Sequence, residues 1–388
     1  MGFNFSYICD LLSSLDANRT LKATTTGKSR DPDVATVTNW FRVHEKKIHG
    51  GDTDYVALLS CLFPELRPDR VHGFKEPALV KIIGRCLLLG ATRWRELEAW
   101  KTPGRGDLGE CVERVMAGAE NELLKNSPVT VEEIDSALTK IASRCRFSAP
   151  DVRRQRTAIQ VDEALKPIFR QLNSRDAKWF TRLLLREYTP VNIPQRLSLR
   201  KFHFMLPAFL SVQSSLKGAL EAMDHGPVKR FPPCPDPEYG QTLMELAIPH
   251  LAPQVGVKVG RPEYYKARNL RHCCRMADKR LMSIERKYDG EYCQVHIDLE
   301  KGPKCIQIFS KSGKDSTVDR KNIHRAIKDS LRIRKPGCRF SKRCILEGEL
   351  LVWSDITNDI LPFHHLRRHI MRAGTYIGTE SDSPCVYT

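Results

Sequence analysis

The apolar residues of this chain change their spacing near residue 280, and this change limits the possible fold more than any other feature. From residue 1 to about 225 they recur at the three- and four-residue intervals of amphipathic helices. Beyond residue 280 they form short runs that are typical of strands and are divided by Gly, Pro and charged turns. The spacing therefore predicts an all-helical N-terminal domain followed by an α+β unit.

Several segments of the first part fit long amphipathic helices: residues 32–48, 77–89, 129–143, 151–172 and 174–188. In the last of them an apolar stripe includes Trp179 and Phe180. Lys178, Arg182 and Arg186 recur there every fourth residue, which predicts a cationic face beside the core face.

A proline-rich segment at residues 231–237 cannot continue a helix and is typical of an interdomain connection. We therefore predict a helical domain over residues 1–230, a connection over 231–255 and an α+β unit over 256–388. The predicted strands of that unit are residues 292–299, 305–309 and 344–353, and a helix is predicted over 318–332.

The chain is strongly basic, with a formal net charge of +17 and a pI near 9.4, which favours a polyanionic partner such as nucleic acid. The basic residues form short clusters, at 153–156, 266–280 and 339–343, and any one cluster also fits a solvated helix face. No apolar run approaches the roughly 20 residues that a membrane span requires, so no membrane partner is expected.

Thirteen cysteines without a signal peptide indicate free thiols in a reducing compartment. Cys273 and Cys274 are adjacent, and His365 and His369 have helical spacing, but neither pair has a second half-site. A structural zinc site is therefore not expected.

A lysine between acidic residues begins the second part, where residues 285–290 read Glu-Arg-Lys-Tyr-Asp-Gly. If this segment is extended, Glu285, Lys287 and Asp289 project to one face, and Gly290 lets the backbone turn tightly. Lys287 then suits nucleophilic attack on the α-phosphorus of a nucleotide. The same segment also fits a surface strand that ends in an Asp-Gly turn. A P-loop is absent from the sequence.

Two later segments carry charges in unusual places. Glu347 and Glu349 interrupt the apolar run 345–353, where carboxylates are costly unless they are paired, metal-bound or facing a polar cleft. A hairpin turn at Gly348 is the alternative. Lys311 follows the predicted strand 305–309, where it offers a cation or forms part of an exposed basic turn.

Three segments resemble motifs I, Ia and III of the ATP-dependent DNA ligases, in the order of that family: residues 285–291, 309–315 and 344–349. The amino-acid sequence of these segments most resembles the eukaryotic DNA ligase IV type, including Gln294 and His296 just after motif I. Residues 178–187 and the later 202–203 are similar to the DNA-binding domain of the family. The resemblance implies that the α+β unit is an adenylation domain, and we expect Lys178, Arg182 and Arg186 to bind DNA.

The resemblance also implies roles within motif I. Lys287 would form a phosphoramidate with AMP, and Glu285 would hold the adenine amino group. Asp289 and Gly290 would shape the loop around the ribose and the α-phosphate. The cofactors implied are ATP and Mg²⁺.

The other matching positions include two departures. Tyr292 stands where motif I normally has arginine, and a phenol can bond a sugar hydroxyl but supplies no cation. Lys311 replaces an arginine that contacts the ribose or the nick phosphate, and it keeps the charge. Glu349 matches the motif III glutamate, which faces the ribose and the metal.

The family fold continues after motif III with further strands and an OB domain, and residues 374–388 match none of these. We therefore expect an incomplete adenylation domain without an OB domain.

The function implied is sealing of nicked or broken double-stranded DNA in nuclear repair and recombination, with end-joining repair proteins as partners. The alternatives are a catalytically inactive DNA-binding protein and, with less support, an mRNA-capping guanylyltransferase or RNA ligase.

Overall fold

The computed structural model describes residues 2–24, 31–118, 128–261, 264–366 and 386–387. They form two compact units. The helical unit comprises residues 1–210 and 215–252, and the sheet unit comprises residues 211–214 and 253–388. Within the described ranges, none of the helices combines the length and apolar character that crossing a bilayer requires.

Fourteen α-helices are described in the helical unit: α1 Phe5–Thr24, α2 Pro32–Ile48, α3 Tyr55–Leu62, α4 Glu76–Cys86, α5 Ala91–Leu97, α6 Leu108–Ala117, α7 Val131–Ser143, α8 Pro150–Arg154, α9 Val161–Gln171, α10 Ser174–Leu184, α11 Gln195–Phe202, α12 Leu206–Val212, α13 Leu216–Met223 and α14 Pro237–Ala247. Their apolar faces meet in one core, in which Trp179, Phe180 and Leu183 of α10 are almost completely buried. Full burial of a side chain of this size contributes about 1.5–3 kcal/mol. The predicted helical character and the apolar stripe of α10 are confirmed.

Two predicted boundaries in the helical unit are wrong. The segment 151–172 is two helices, because the carboxylate of Glu163 accepts a hydrogen bond from the backbone N–H of Gln160 and begins α9 there. The segment 174–188 ends as a helix at Leu184, and Arg186 has a positive φ of 65°.

The proline-rich segment lies inside the helical unit, which extends to Ala252 and not to residue 230. The carbonyl oxygen of Pro233 accepts a hydrogen bond from the backbone N–H of Phe204 at 2.9 Å, and Phe231 packs against the helical core. Pro237 starts α14, since a proline is favourable in the first turn of a helix, where no N–H is needed. Proline density therefore marked a helix start and not the division between the units.

The described part of the sheet unit contains α15 Leu270–Ala277, α16 His324–Ser330 and five strands: β1 Glu291–Asp298, β2 Ile306–Ser310, β3 Arg343–Ser354, β4 Asp359–Ile360 and β5 Val386–Tyr387. The strand order is β2-β1-β3-β4, with β5 on β3, and all pairings are antiparallel. The three main predicted strands and the helical stretch before β3 are confirmed within a few residues, except that the helix is shorter.

Side chains on β1 alternate between two faces of the sheet, as in any strand. Cys293, Val295 and Ile297 enter an apolar core that includes Ile327 of α16 and Leu350 of β3. Tyr292, Gln294 and His296 occupy the opposite face and are also buried. Because buried polar groups need partners, this second face must carry a hydrogen-bond network.

Candidate active site

The polar face of the sheet joins motif I to motif III through strand register. Tyr292 on β1 is paired with Glu349 on β3, and Gln294 is paired with Glu347. Directly paired residues of an antiparallel sheet share a face. The two carboxylates therefore lie beside Tyr292 and Gln294 and do not belong to a hairpin turn at Gly348, which is within β3.

Gln294 is the centre of the network. Its side-chain oxygen accepts from the backbone N–H of Val259 at 2.7 Å and from Nε2 of His296 at 2.9 Å. Its amide nitrogen donates to the hydroxyl of Tyr292 at 3.3 Å and to Glu347 at 3.4 Å. The backbone N–H of Gly256 donates to Nδ1 of His296 at 3.0 Å. These bonds require a neutral imidazole that carries its proton on Nε2.

Burial controls the ionisation of this face. It lowers the pKa of His296 to about 4, and the Lys258 cation acts in the same direction. It also lowers the pKa of Lys258, although Glu347 opposes the change. Burial and the Glu347 carboxylate raise the pKa of the Tyr292 phenol. At neutral pH the face therefore presents a neutral phenol and a neutral imidazole beside charged groups.

Glu349 holds the turn that follows the candidate nucleophile. Its Oε2 accepts a hydrogen bond from the backbone N–H of Gly290 at 3.0 Å. A Cβ at position 290 would lie 2.6 Å from the carbonyl oxygen of Leu350, so close approach to β3 requires glycine here. The structure thus brings Gly290, Tyr292 and Glu349 together.

The segment that carries the candidate nucleophile is exposed. Glu285, Lys287 and Asp289 lie in residues 281–290, which form no strand, and β1 begins only at Glu291. The structure therefore does not place these residues in a strand that is paired within the sheet. Solvent competes with cross-strand bonds in such an exposed segment, and alternation of acidic residues alone does not supply a pairing partner.

Lys311 leaves β2 close to the same end of β1. It follows Ser310, whose partner on β1 is Cys293, so it emerges next to the Tyr292 end of that strand. The turn after it closes through a hydrogen bond from the Gly313 N–H to the Ser310 carbonyl at 2.9 Å. Lys311 is exposed, as an anion-binding cation would be.

The sequence interpretation missed two cations beside Tyr292. The guanidinium carbon of Arg261 lies 4.7 Å from the ring centroid, and Nζ of Lys258 lies 5.8 Å from it. Both distances are in the range of cation–π interactions. The available signal was the alternation of basic and apolar residues in 257–261, but it gave no indication of the partner ring.

A buried arginine fastens the start of β1 and was also missed. Arg320 is about 5% exposed and forms an ion pair with Glu291, the first residue of β1. A single arginine within the predicted helical stretch 318–332 gave no sequence signal for this contact.

The oxygen donors of this face fit a magnesium ion. Among the described residues, no group of three or more His, Cys, Asp or Glu side chains forms a preassembled cage. Mg²⁺ is usually held by one or two carboxylates together with substrate phosphates and water, so Glu349, with Glu347 near it, suits that requirement.

The predicted cationic face of α10 is not an exposed face. Arg182 is about 2% exposed and pairs with Asp107 at 2.8 Å and Glu110 at 3.3 Å. Lys178 lies 3.3 Å from the carboxylate of Glu113. Arg186, which lies beyond the helix end, donates to two backbone carbonyls. Lys178 and Arg182 therefore face carboxylates at the start of α6 and within it, and Arg186 faces backbone carbonyls of another segment.

A different basic cluster is exposed in the helical unit. Val152 anchors the short helix α8 in the core, whereas Arg153, Arg154 and Arg156 are all exposed. Among the described residues, Arg154 forms an ion pair only with the equally exposed Asp151, at 2.8 Å. Exposed pairs of this kind are weak, so a polyanion can compete for these arginines.

Two family models match the chain. Residues 4–193 match the model described as DNA ligase N terminus, and residues 265–388 match the model described as ATP dependent DNA ligase domain. Together they include the helical unit through α10 and the whole of motifs I, Ia and III.

Curated relatives agree with these models. DNA ligase 4 of Neurospora crassa is 22% identical over 353 residues, which cover 81% of this chain and 29% of the relative. DNA ligase 4 of Dictyostelium discoideum is 22% identical over 385 residues, which cover 94% of this chain and 32% of the relative. DNA ligase of Pyrobaculum calidifontis is 23% identical over 347 residues, which cover 82% of this chain and 52% of the relative. The chain spans about a third of the length of these two DNA ligase 4 relatives and about half of the third.

Proposed function

Because the chain belongs to the ATP-dependent DNA ligase family, we propose that its sheet unit transfers AMP from ATP to Lys287 as the first step of DNA strand joining. The observation that carries this proposal is the hydrogen bond between Gly290 and Glu349. It joins the motif I turn to a motif III carboxylate, so that groups 59 residues apart in sequence form one site.

The step requires an amine that attacks the α-phosphorus. Nζ of Lys287 forms the new phosphorus–nitrogen bond, the bond from the α-phosphorus to the bridging oxygen breaks, and pyrophosphate departs. The amine proton passes to solvent, which has free access to this exposed segment. Cations near the phosphates offset the developing charge.

The remaining motif residues bind and orient the nucleotide in this proposal. Glu285 holds the adenine amino group, and Asp289 with Gly290 shapes the loop at the ribose and α-phosphate. Tyr292 bonds a ribose hydroxyl as a neutral phenol, and Lys311 faces the phosphates.

Glu349 holds the backbone N–H of Gly290, and its carboxylate would also hold Mg²⁺. The ion supplies charge neutralisation at the phosphate oxygens when it is bound.

Labelling with ATP tests the adenylation step. The chain is incubated with ATP that is radiolabelled at the α-phosphate, and acid-labile label on protein is then measured with and without Mg²⁺. Lys287→Ala should abolish the label, and the exposed Lys279→Ala in the same unit should retain it. Equal labelling of the Lys287→Ala protein would refute the assignment, and labelling by GTP in preference to ATP would favour a capping enzyme.

We also propose that the helical unit binds duplex DNA that contains nicks or breaks. Its exposed arginines at 153, 154 and 156 support this proposal better than the paired Lys178, Arg182 and Arg186. Each phosphate contact that is lost should lower the slope of log affinity against log salt by about 1. The wider role that we propose is joining of DNA breaks during repair and recombination in the nucleus, together with end-joining proteins.

Binding to a nicked duplex should be measured at several salt concentrations. Replacing all three exposed arginines with alanine should flatten the salt dependence, while Arg95→Ala, an exposed control on α5, should change it less. A slope that the triple variant leaves unchanged would contradict this interface. Salt-sensitive binding by a chain that takes no label from ATP would identify it as a DNA-binding module without adenylation activity.

A further inference from the structure

A cation occupies the space above the phenol that replaces the expected arginine of motif I. Tyr292 is about 6% exposed, and the guanidinium of Arg261 lies 4.7 Å from its ring centroid. The two residues are 31 positions apart, so the contact arises from the fold and not from the motif.

We propose that Arg261 is a nucleotide-binding residue, which supplies from outside motif I the cationic contact that Tyr292 cannot make. The inference rests on the proposed function of the sheet unit, and its ligand is a nucleoside triphosphate that binds on the polar face.

The position of the Arg261 guanidinium over the ring suits this role. A guanidinium that lies on an aromatic ring keeps the N–H groups at its edge available for phosphate or ribose oxygens, and the ring limits its motion. Among the residues that the structure describes, Arg261 makes no hydrogen bond or ion pair, and it is exposed.

The other nearby cation does not have this freedom. Lys258 is about 7% exposed, and its Nζ donates to the carbonyl of Val259 at 3.2 Å. Its charge lies beside Glu347, which offsets it. Lys258 stabilises the buried network, whereas Arg261 extends the positive charge to the surface.

Arg261 also has the right position relative to the motifs. Its partner Tyr292 is paired across the strands with Glu349, and Glu349 bonds the turn at Gly290. The two carboxylates on this face would repel a triphosphate unless cations near them offset their charge. Arg261 provides such a cation over the ring of Tyr292, which is the fifth residue after Lys287.

Titration of the 388-residue chain with ATP by calorimetry tests the proposal. Arg261→Ala should weaken ATP binding about tenfold to 100-fold, the range expected for loss of a charge-assisted contact. Arg261→Lys should give an intermediate loss, because lysine keeps the charge without the planar stack. Arg325→Ala, which removes another exposed charge, from α16, should leave the affinity within about twofold.

The double variant Arg261→Ala/Tyr292→Arg provides the decisive comparison. An arginine at position 292 should restore most of the affinity that Arg261→Ala loses, which a purely structural role of Arg261 does not predict. If wild type binds ATP and Arg261→Ala binds it equally well, even with a lower melting temperature, this inference is refuted while the proposed function still stands. If wild type binds no ATP, the proposed function fails together with it.

Discussion

Replacing Gly290 with alanine should weaken the sheet unit where motif I meets β3. An added Cβ would lie 2.6 Å from the carbonyl oxygen of Leu350 and 2.8 Å from Cδ2 of Leu351. The leucine side chain can rotate away, but the carbonyl belongs to the backbone of β3. The turn or the strand must therefore move.

The expected cost follows from these contacts. Overpacking that forces a backbone shift costs about 1–3 kcal/mol. The same shift lengthens the 3.0 Å hydrogen bond from Gly290 to Glu349, whose loss adds about 1 kcal/mol. We expect Gly290→Ala to lower the free energy of unfolding of the sheet unit by about 2–4 kcal/mol.

Gly348 provides a matched control on the paired strand. A Cβ at this position meets no atom within 4 Å, so Gly348→Ala should be neutral or stabilise the strand by about 0.5–1 kcal/mol. Hydrogen exchange of peptides from β1 and β3, measured by mass spectrometry, reports the local stability directly. Equal exchange rates in the two variants would refute the steric argument.

Three further predictions concern ionisation and burial. Burial lowers the pKa of His296 from 6.5 to about 4, so the free energy of unfolding should fall by up to about 3 kcal/mol as the pH decreases from 6.5 to 4. His296→Gln should reduce this difference, which urea unfolding at pH 7 and at pH 4.5 can measure. Arg182→Ala should lower the free energy of unfolding of the helical unit by about 1–3 kcal/mol, because it leaves two carboxylates without their partner, but should not alter the salt slope of DNA binding. Iodoacetamide at neutral pH should modify the exposed Cys273 and Cys274 in the native chain, and should modify Cys61, whose pKa burial raises, only after denaturation, as peptide mass mapping can show.

The main strands were predictable because their pattern is local. Alternation in residues 292–299 and the apolar run 344–353 identify β1 and β3 within about two residues, and the helix 32–48 was predicted with its observed ends. These elements have periodic apolar faces, and burial of those faces selects the same structure that the pattern indicates.

The contacts between distant segments were not predictable from spacing. The four-residue recurrence of Lys178 and Arg182 indicated a shared helix face, but not that carboxylates of α6 would cover it. The contact between Arg261 and the ring of Tyr292 depends likewise on how the segment before β1 packs against the sheet. Local sequence states which groups share a face, whereas tertiary packing decides whether that face meets solvent, acid or an aromatic ring.

The pairing of Tyr292 with Glu349 has a consequence for changes in chain length. A strand side chain switches faces with each residue, so a single insertion in β3 just before Glu347 would turn both carboxylates into the apolar core. Insertions in the exposed part of residues 331–342, before β3 begins, leave that alternation intact. Length variation in the sheet unit should therefore be confined to the segments between strands. An odd number of residues added within β3 would move its carboxylates to the other face of the sheet, away from the site.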